Sequence, residues 1–196
     1  MPDPIRQLTD LMREQGLPTT GQSAIDWYRK AVRRLEESST KQIFRNRDRV
    51  GQLLPGHMYM FRYIPEGRKE LDYYDEYPLM IATNTRDTSY FRGLNLHYLP
   101  HKYRAIFFAN IQSATSNRKY NEETRFRLTN KMVTKMSKYR YGRVCFRTYS
   151  YSQLRSKVIE IKPSEWFASL FLPTERFVKK SRASVWRESR KQIDEN

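Results

Sequence analysis

His57-Met-Tyr-Met-Phe-Arg-Tyr-Ile64, closed by Pro65-Glu66-Gly67, is the stretch on which the fold reading turns. Its aromatic and apolar residues read as a strand, and the Pro-Glu-Gly cluster reads as the turn that ends it. Downstream, Leu79-Met-Ile-Ala-Thr83 reads as a second strand and Tyr90-Phe-Arg-Gly-Leu-Asn-Leu96 as a third. Gly93, inside the third, fits a bulge or a close backbone approach. Arg143 to Tyr149 and Lys157 to Ile161 have the composition of two more. Strands this short and this widely spaced predict an α+β fold with a small antiparallel β-barrel or a curled sheet.

Helical periodicity flanks this core. Pro4 to Gln15 sets Ile5, Leu8, Leu11 and Met12 on one face, and Gly16 closes the segment. After the breakers Pro18-Thr19-Thr20-Gly21, Ser23 is positioned to cap a helix to about Glu37, with Ile25, Tyr28, Val32 and Leu35 inward. Arg29, Lys30, Arg33 and Arg34 line its other face, and a third short helix is expected over Lys41 to Val50, with Arg45, Arg47 and Arg49 exposed. Pro100 opens a helix from His101 to about Ile111. Asn121 caps another to about Lys138, with Glu122 and Glu123 at its positive end. Ser164 is the expected cap of a short helix through Trp166 and Phe167 that Pro173 ends. Beyond Lys179 a basic tail containing Trp186 reads as a final helix or an ordered extension. The expected organisation is an N-terminal helical arm over 1–50, an α+β core domain over 51–178 and a basic C-terminal extension over 179–196, within a basic helical C-terminal half.

Charge is distributed unevenly along these segments. Of 37 Lys and Arg residues, 22 lie between His101 and Asn196 with only eight acids, so that half carries +14 of the formal +16. Gly51 to Pro100 holds five bases against six acids. Hydrophobic residues make up only 38% of the chain, yet aromatic ones reach 14%, which excludes a disordered polycation. One-sided charge points to a polyanion or an acidic protein neighbour. The single cysteine, Cys145, excludes a disulfide framework and reads as a buried thiol. No signal peptide and no apolar run of membrane-span length is visible, so a reducing cytoplasm and no membrane partner are expected.

Candidate chemistry is thin. His97 and His101 are four apart but straddle Pro100, and no carboxylate is near in sequence, so no metal site and no cofactor are expected. Glu160-x-Lys162 on a strand matches part of a metal-dependent nuclease site. Between Asn130 and Ile159, however, there is no Asp or Glu to complete it. Asp72, Asp75 and Glu76, set among tyrosines before Pro78, could form an acid/base pair, but without a nucleophile they read better as loop acids that bond amides or arginines. Glycines are too few and wrongly spaced to cradle phosphate.

The basic stripes remain as the candidate contact surface. Arg127, Lys131, Lys135 and Lys138 share one helical stripe, and Arg125, Arg140 and Arg143 extend it among Phe126, Tyr139 and Tyr141. Lys179, Lys180, Arg182, Arg187, Arg190 and Lys191 form a second set. Trp27 and Trp186 are candidate protein–protein anchors, or ordinary core.

Several phrases together go beyond composition: Pro55-Gly-His-Met-Tyr-Met-Phe-Arg-Tyr63, Tyr73-Tyr-Asp-Glu-Tyr-Pro-Leu79, Gly93-Leu-Asn-Leu-His-Tyr-Leu-Pro100, Pro163-Ser-Glu-Trp-Phe167 and Phe171-Leu-Pro173. Over residues 23–190 the chain resembles small virion or assembly proteins of T-even-like contractile-tailed bacteriophages. The resemblance implies a virion component at the DNA end, neck or baseplate, with no catalytic residues to carry over. Asn95 and His97 alternate with Leu94, Leu96 and Tyr98 and are expected to hold loops by hydrogen bonding.

The sequence reading is therefore a non-enzymatic phage structural or assembly protein, a tail baseplate, neck or DNA-end component, found in the virion and in the host cytoplasm during assembly. It would dock through its basic surface on neighbouring subunits or DNA within a symmetric multi-subunit particle. The alternative is a free, sequence-independent DNA-binding protein such as a DNA-end protector, and a metal-dependent endonuclease ranks third.

Overall fold

Met58 and Tyr59 point to opposite faces of one sheet, and each face carries its own core. The computed structural model describes residues 3–16, 22–32, 39–85, 87–115, 117–136 and 138–195. Its main sheet has the order β5-β4-β3-β1-β6, all pairs antiparallel, formed by β1 (Met58–Met60), β3 (Leu79–Asn84), β4 (Tyr90–Asn95), β5 (Phe146–Ser150) and β6 (Ile159–Ile161). A separate ribbon pairs β2 (Tyr74–Asp75) with β7 (Phe177–Val178). The α+β class and the curled sheet are as read from sequence. The barrel is not, because β5 and β6 stay at opposite edges and do not pair.

Alternation along the strands produces the two cores. Met58, Met60, Leu79, Ile81, Leu94, Ile159 and Ile161 face a large helical layer. Tyr59, Phe61, Met80, Ala82, Phe91, Tyr149 and Val158 face a smaller aromatic one. In the second, Phe91 stacks on Tyr149 at 5.4 Å and Phe61 meets the same ring edge-on at 5.1 Å. Gly93 serves both expected purposes. The register shifts between Ala82 and Asn84 opposite it, and a Cβ there would overlap the Ile81 carbonyl and the Met80 side chain.

The helical layer comprises α1 (Pro4–Glu14), α2 (Gln22–Val32), α3 (Ser39–Arg45), α4 (His101–Thr115), α5 (Glu122–Met136), α6 (Arg140–Arg143), α7 (Trp166–Phe171) and α8 (Arg182–Asp194). The N-terminal helices dock on this chain's own core, with Ile5, Leu8, Met12, Ala24, Tyr28 and Ile43 all buried in it. Asp3 caps α1 by accepting from the Ile5 amide at 2.9 Å. The second helix is described to Val32, and the part expected over 33–38, with Arg33, Arg34 and Leu35, lies outside the described residues, as does the breaker cluster at 18–21.

Arg47, expected on the exposed side of the third helix, lies beyond its end at Arg45 and is buried, where it closes the N-terminal region onto the sheet. Arg47 donates to Asp3 Oδ2 at 2.6 Å, to both oxygens of Glu165 at 2.9 and 3.1 Å, and to the Glu160 carbonyl at 3.3 Å. Lys157 Nζ donates to the Arg47 carbonyl from the other side. This use of Glu165 also explains a misplaced cap. The turn Pro163–Glu165 begins with a capping box in which the Glu165 carboxylate accepts from the Lys162 amide at 3.2 Å, so Glu165 rather than Ser164 organises the entry to α7. Arg143, expected to start a strand, ends α6 instead, and β5 begins only at Phe146.

Candidate nucleic-acid interface

The helix that carries the predicted cation stripe is seated on the sheet by a glycine and a histidine. Asn121 Oδ1 accepts from the Thr124 amide at 2.9 Å, and Glu122 and Glu123 occupy the first turn of α5, as its sequence implies. Gly56 has φ +88°, and a Cβ at that position would overlap the carbonyl of Phe126. Backbone therefore meets backbone where α5 crosses the start of β1. The Phe126 ring stacks on His57 with centroids 3.5 Å apart, and His57 Nδ1 pairs with Glu160 Oε1 at 2.6 Å. Thr129 and Val133 complete the inward face.

The opposite face is a ridge of cations. Arg127, Lys131 and Lys135 are exposed along α5, and Lys138 is exposed in the turn after it. No acidic side chain among the described residues pairs with any of them, or with Arg125 or Arg143, which are also exposed. Arg127 to Lys135 advances about 12 Å along the helix axis, at about 1.5 Å per residue. One strand of duplex DNA presents a phosphate roughly every 3.4 Å of axis, so the ridge matches roughly three to four of them. Arg140 opens α6 beyond the ridge.

The second cationic set is largely engaged within the chain. Lys179, at φ 72°, donates to the carbonyls of Lys69 and Leu71. Lys180 pairs with Glu188 at 2.9 Å and lies over the Tyr73 ring. Arg182 reaches Glu175 at 3.0 Å and the Trp186 ring, and Lys191 pairs with Glu195 at 3.6 Å. Arg187 and Arg190 are exposed on α8. Of the two tryptophans, Trp27 donates to Gln15 Oε1 at 2.6 Å beside a groove of about 670 Å³ between α1 and α2. Trp186 donates to the His97 carbonyl at 2.8 Å and packs between Arg104 and Arg182.

Folding also assembles features that no local stretch of sequence displays. A cleft of about 980 Å³ opens between α4, the first half of α5 and the β6–α7 corner, lined by Gln112, Tyr120, Arg125, Phe126, Lys162 and Trp166 among others. A groove of about 780 Å³ gathers Arg49, Arg155 and Lys157 at the end of the aromatic core. The lining residues of each come from segments far apart in sequence. The only local cue is aromatic and basic residues beside turns, as at Tyr120 and Arg155.

The buried polar groups perform structural work. Asp75 Oδ2 accepts from Asn95 Nδ2 at 2.9 Å and from His97 Nδ1 at 2.8 Å, which leaves His97 Nε2 facing Thr174 Oγ1 at 3.1 Å. The order hydroxyl, imidazole, carboxylate is that of a catalytic triad, but all three side chains are sealed from solvent and the hydroxyl meets no surface. Asp75 also accepts from the Tyr77 and Arg176 amides, and Glu76 pairs with Arg62 and Arg176, so these two of the three loop acids meet this chain's own amides and arginines, while Asp72 is exposed. Nearby, Glu175 lies between Arg104 and His101. Burial pushes its carboxyl up, but Arg104 and the nearby His101, whose Nε2 lies 3.5 Å away, outweigh this and hold it well below the usual range. Burial lowers His101 and drives the Cys145 thiol up to about 12. Among the described residues, no three His, Cys, Asp or Glu side chains gather as a metal site would require.

A helix braced against an open sheet thus carries a cation ridge that meets no acidic side chain among the described residues, a surface suited to a polyanion. A model of the family described as the phage T4 terminal DNA protecting protein matches residues 5–191, and the chain belongs to that family. No curated protein and no solved structure matched it. The match bears out the T4-like phage resemblance and overturns the leading expectation of a baseplate, neck or other structural subunit. It favours the alternative, a DNA-end protector, which the same basic surface had suggested.

Proposed function

We propose that this protein binds the ends of linear double-stranded DNA and shields them, without catalysing a reaction on them. The observation that carries the reading is the exposed ridge Arg127, Lys131, Lys135 and Lys138, which has no acidic partner among the described residues, on a chain whose family is described by terminal DNA protection. Phosphates held there are contacted without regard to sequence, as a protein that must cover any terminus requires. Its place of action is wherever phage DNA has free ends, in the virion and in the host cytoplasm during assembly. The test compares a linear duplex with the same duplex closed by hairpins at both ends. Tighter binding to the open form, together with protection of that form from an added exonuclease, is expected. Equal affinity for both forms, with no protection, would overturn the reading.

A further inference from the structure

We propose that the cleft between α4, α5 and the β6–α7 corner receives the unpaired base of a terminal nucleotide, an inference that rests on the DNA-end reading. The chemistry of the lining argues for a base. Tyr120 and Phe126, half-buried and backed by the buried rings of Phe108 and Trp166, supply aromatic surface, and every nucleobase has a face that stacks on such rings. Trp166 spends its indole N–H on the Ile161 carbonyl at 2.7 Å, so its ring is held rather than free to collapse into the space.

Gln112 supplies the second argument. Its Oε1 is buried against the cleft and has no hydrogen-bond partner among the described residues. An acceptor left in that state has lost its water without a replacement, and it is relieved by an occupant that brings an N–H. Each of the four bases carries one on its pairing edge, but that edge is available only when the base is unpaired. In the interior of a duplex the pairing edges are engaged, and the amino N–H groups left in the grooves belong to rings that cannot leave the stack to enter a cleft.

The rim supplies the third. Arg125 and Lys162 are exposed at the mouth, where the phosphate of an inserted nucleotide would lie. Arg125 is on the same helix as the ridge but about 200° round its axis from Arg127, so a strand held on the ridge reaches the cleft by crossing the N-terminal end of α5. The acids at the rim do not contradict this. Glu160 is already paired with His57, and Glu122 caps the positive end of α5. The arrangement makes a free end a different ligand from the duplex interior: the ridge holds the phosphates, and the cleft recognises the strand's last base when the terminal pair frays open, as it does at a blunt end and does not at a hairpin-closed one.

The experiment uses the whole protein and three duplexes of one length: blunt-ended, blunt-ended with an abasic site at each terminal nucleotide, and hairpin-closed. Binding to the blunt duplex about tenfold tighter than to the abasic-ended one is expected, with the abasic form close to the closed form. Gln112→Met, which keeps the size and removes the acceptor, should narrow that gap, and its thermal midpoint should match or exceed that of the unsubstituted protein. Open ends preferred over closed ones but indifferent to the missing base would overturn this inference and leave the end-binding reading standing. No preference for open ends would overturn both.

Discussion

Asp3 and Arg47 meet at 2.6 Å with both side chains buried, so the first turn of the chain is joined to the segment that leads into the sheet. The same guanidinium holds Glu165 at the entrance to α7. Removing it would strand two carboxylates in a dry environment. Arg47→Ala is expected to lose about 3–5 kcal/mol of stability, measured by urea unfolding. Arg6→Ala, whose exposed side chain approaches Glu165 at 3.7 Å, should change stability little.

Gly56 allows α5 to touch the sheet. Gly56→Ala combines a φ of +88° with an overlap at the Phe126 carbonyl, so a loss of about 1–3 kcal/mol is expected. Gly51, which has open space where its Cβ would go, is the control, and Gly51→Ala should be near neutral. Comparable losses at the two glycines would show that α5 is not seated as described.

Salt dependence distinguishes the two cationic sets. Replacing Arg127, Lys131, Lys135 and Lys138 with Gln should make the slope of log affinity against log salt shallower by about 3 to 4, at roughly 0.9 per phosphate contact. Lys180→Gln and Arg182→Gln, whose cations already face Glu188 and Glu175, should leave that slope unchanged. The measurement is binding to a short linear duplex over a salt series.

Acid should weaken the fold in two stages. His101 is lowered in the folded state, so the unfolded chain takes up its proton first, and stability falls as pH drops below the ordinary histidine value of 6.5. Glu175 is also depressed when folded. Its contribution is complete above its unfolded value of 4.5 and is lost as pH falls further toward the folded value. Unfolding midpoints from pH 7.5 to 3 should show both stages. His101→Gln should remove the upper stage, and a fall that keeps both in that variant would be inconsistent with this assignment.

Cys145 should be inert. Burial raises its thiol to about 12, so a thiol reagent at pH 8 should label the unfolded chain and leave the native one unlabelled.

The elements legible in the sequence were those whose signals are local. Asn121 with Glu122 and Glu123 announced α5, and Gly93 announced the bulge because nothing larger fits between Ile81 and Met80. The ridge was legible for the same reason, since helical spacing alone aligns Arg127, Lys131 and Lys135. What was not legible depended on partners far along the chain. Arg47 finds Glu165 118 residues away, and Ser164 was a plausible cap until Glu165 was committed to Arg47 and the Lys162 amide. Lys180 and Arg182 looked as free as Lys131 until Glu188 and Glu175 were brought beside them. The cleft combines α4, α5 and the β6–α7 corner, and no window of sequence contains all three. The third helix shows the same limit at smaller scale, because α3 ends at Arg45 so that Arg47 can turn inward.

One carboxylate oxygen on Asp75 is shared between Asn95 and His97, while the other serves the backbone of Tyr77 and Arg176. Once one member of such a set has been lost, the rest has already relaxed, and losing another costs less than it would alone. Descendants of this chain would therefore be expected to keep Asp75, Asn95, His97 and Thr174 together or exchange them together. Stepwise replacement would pass through intermediates poorer than either end.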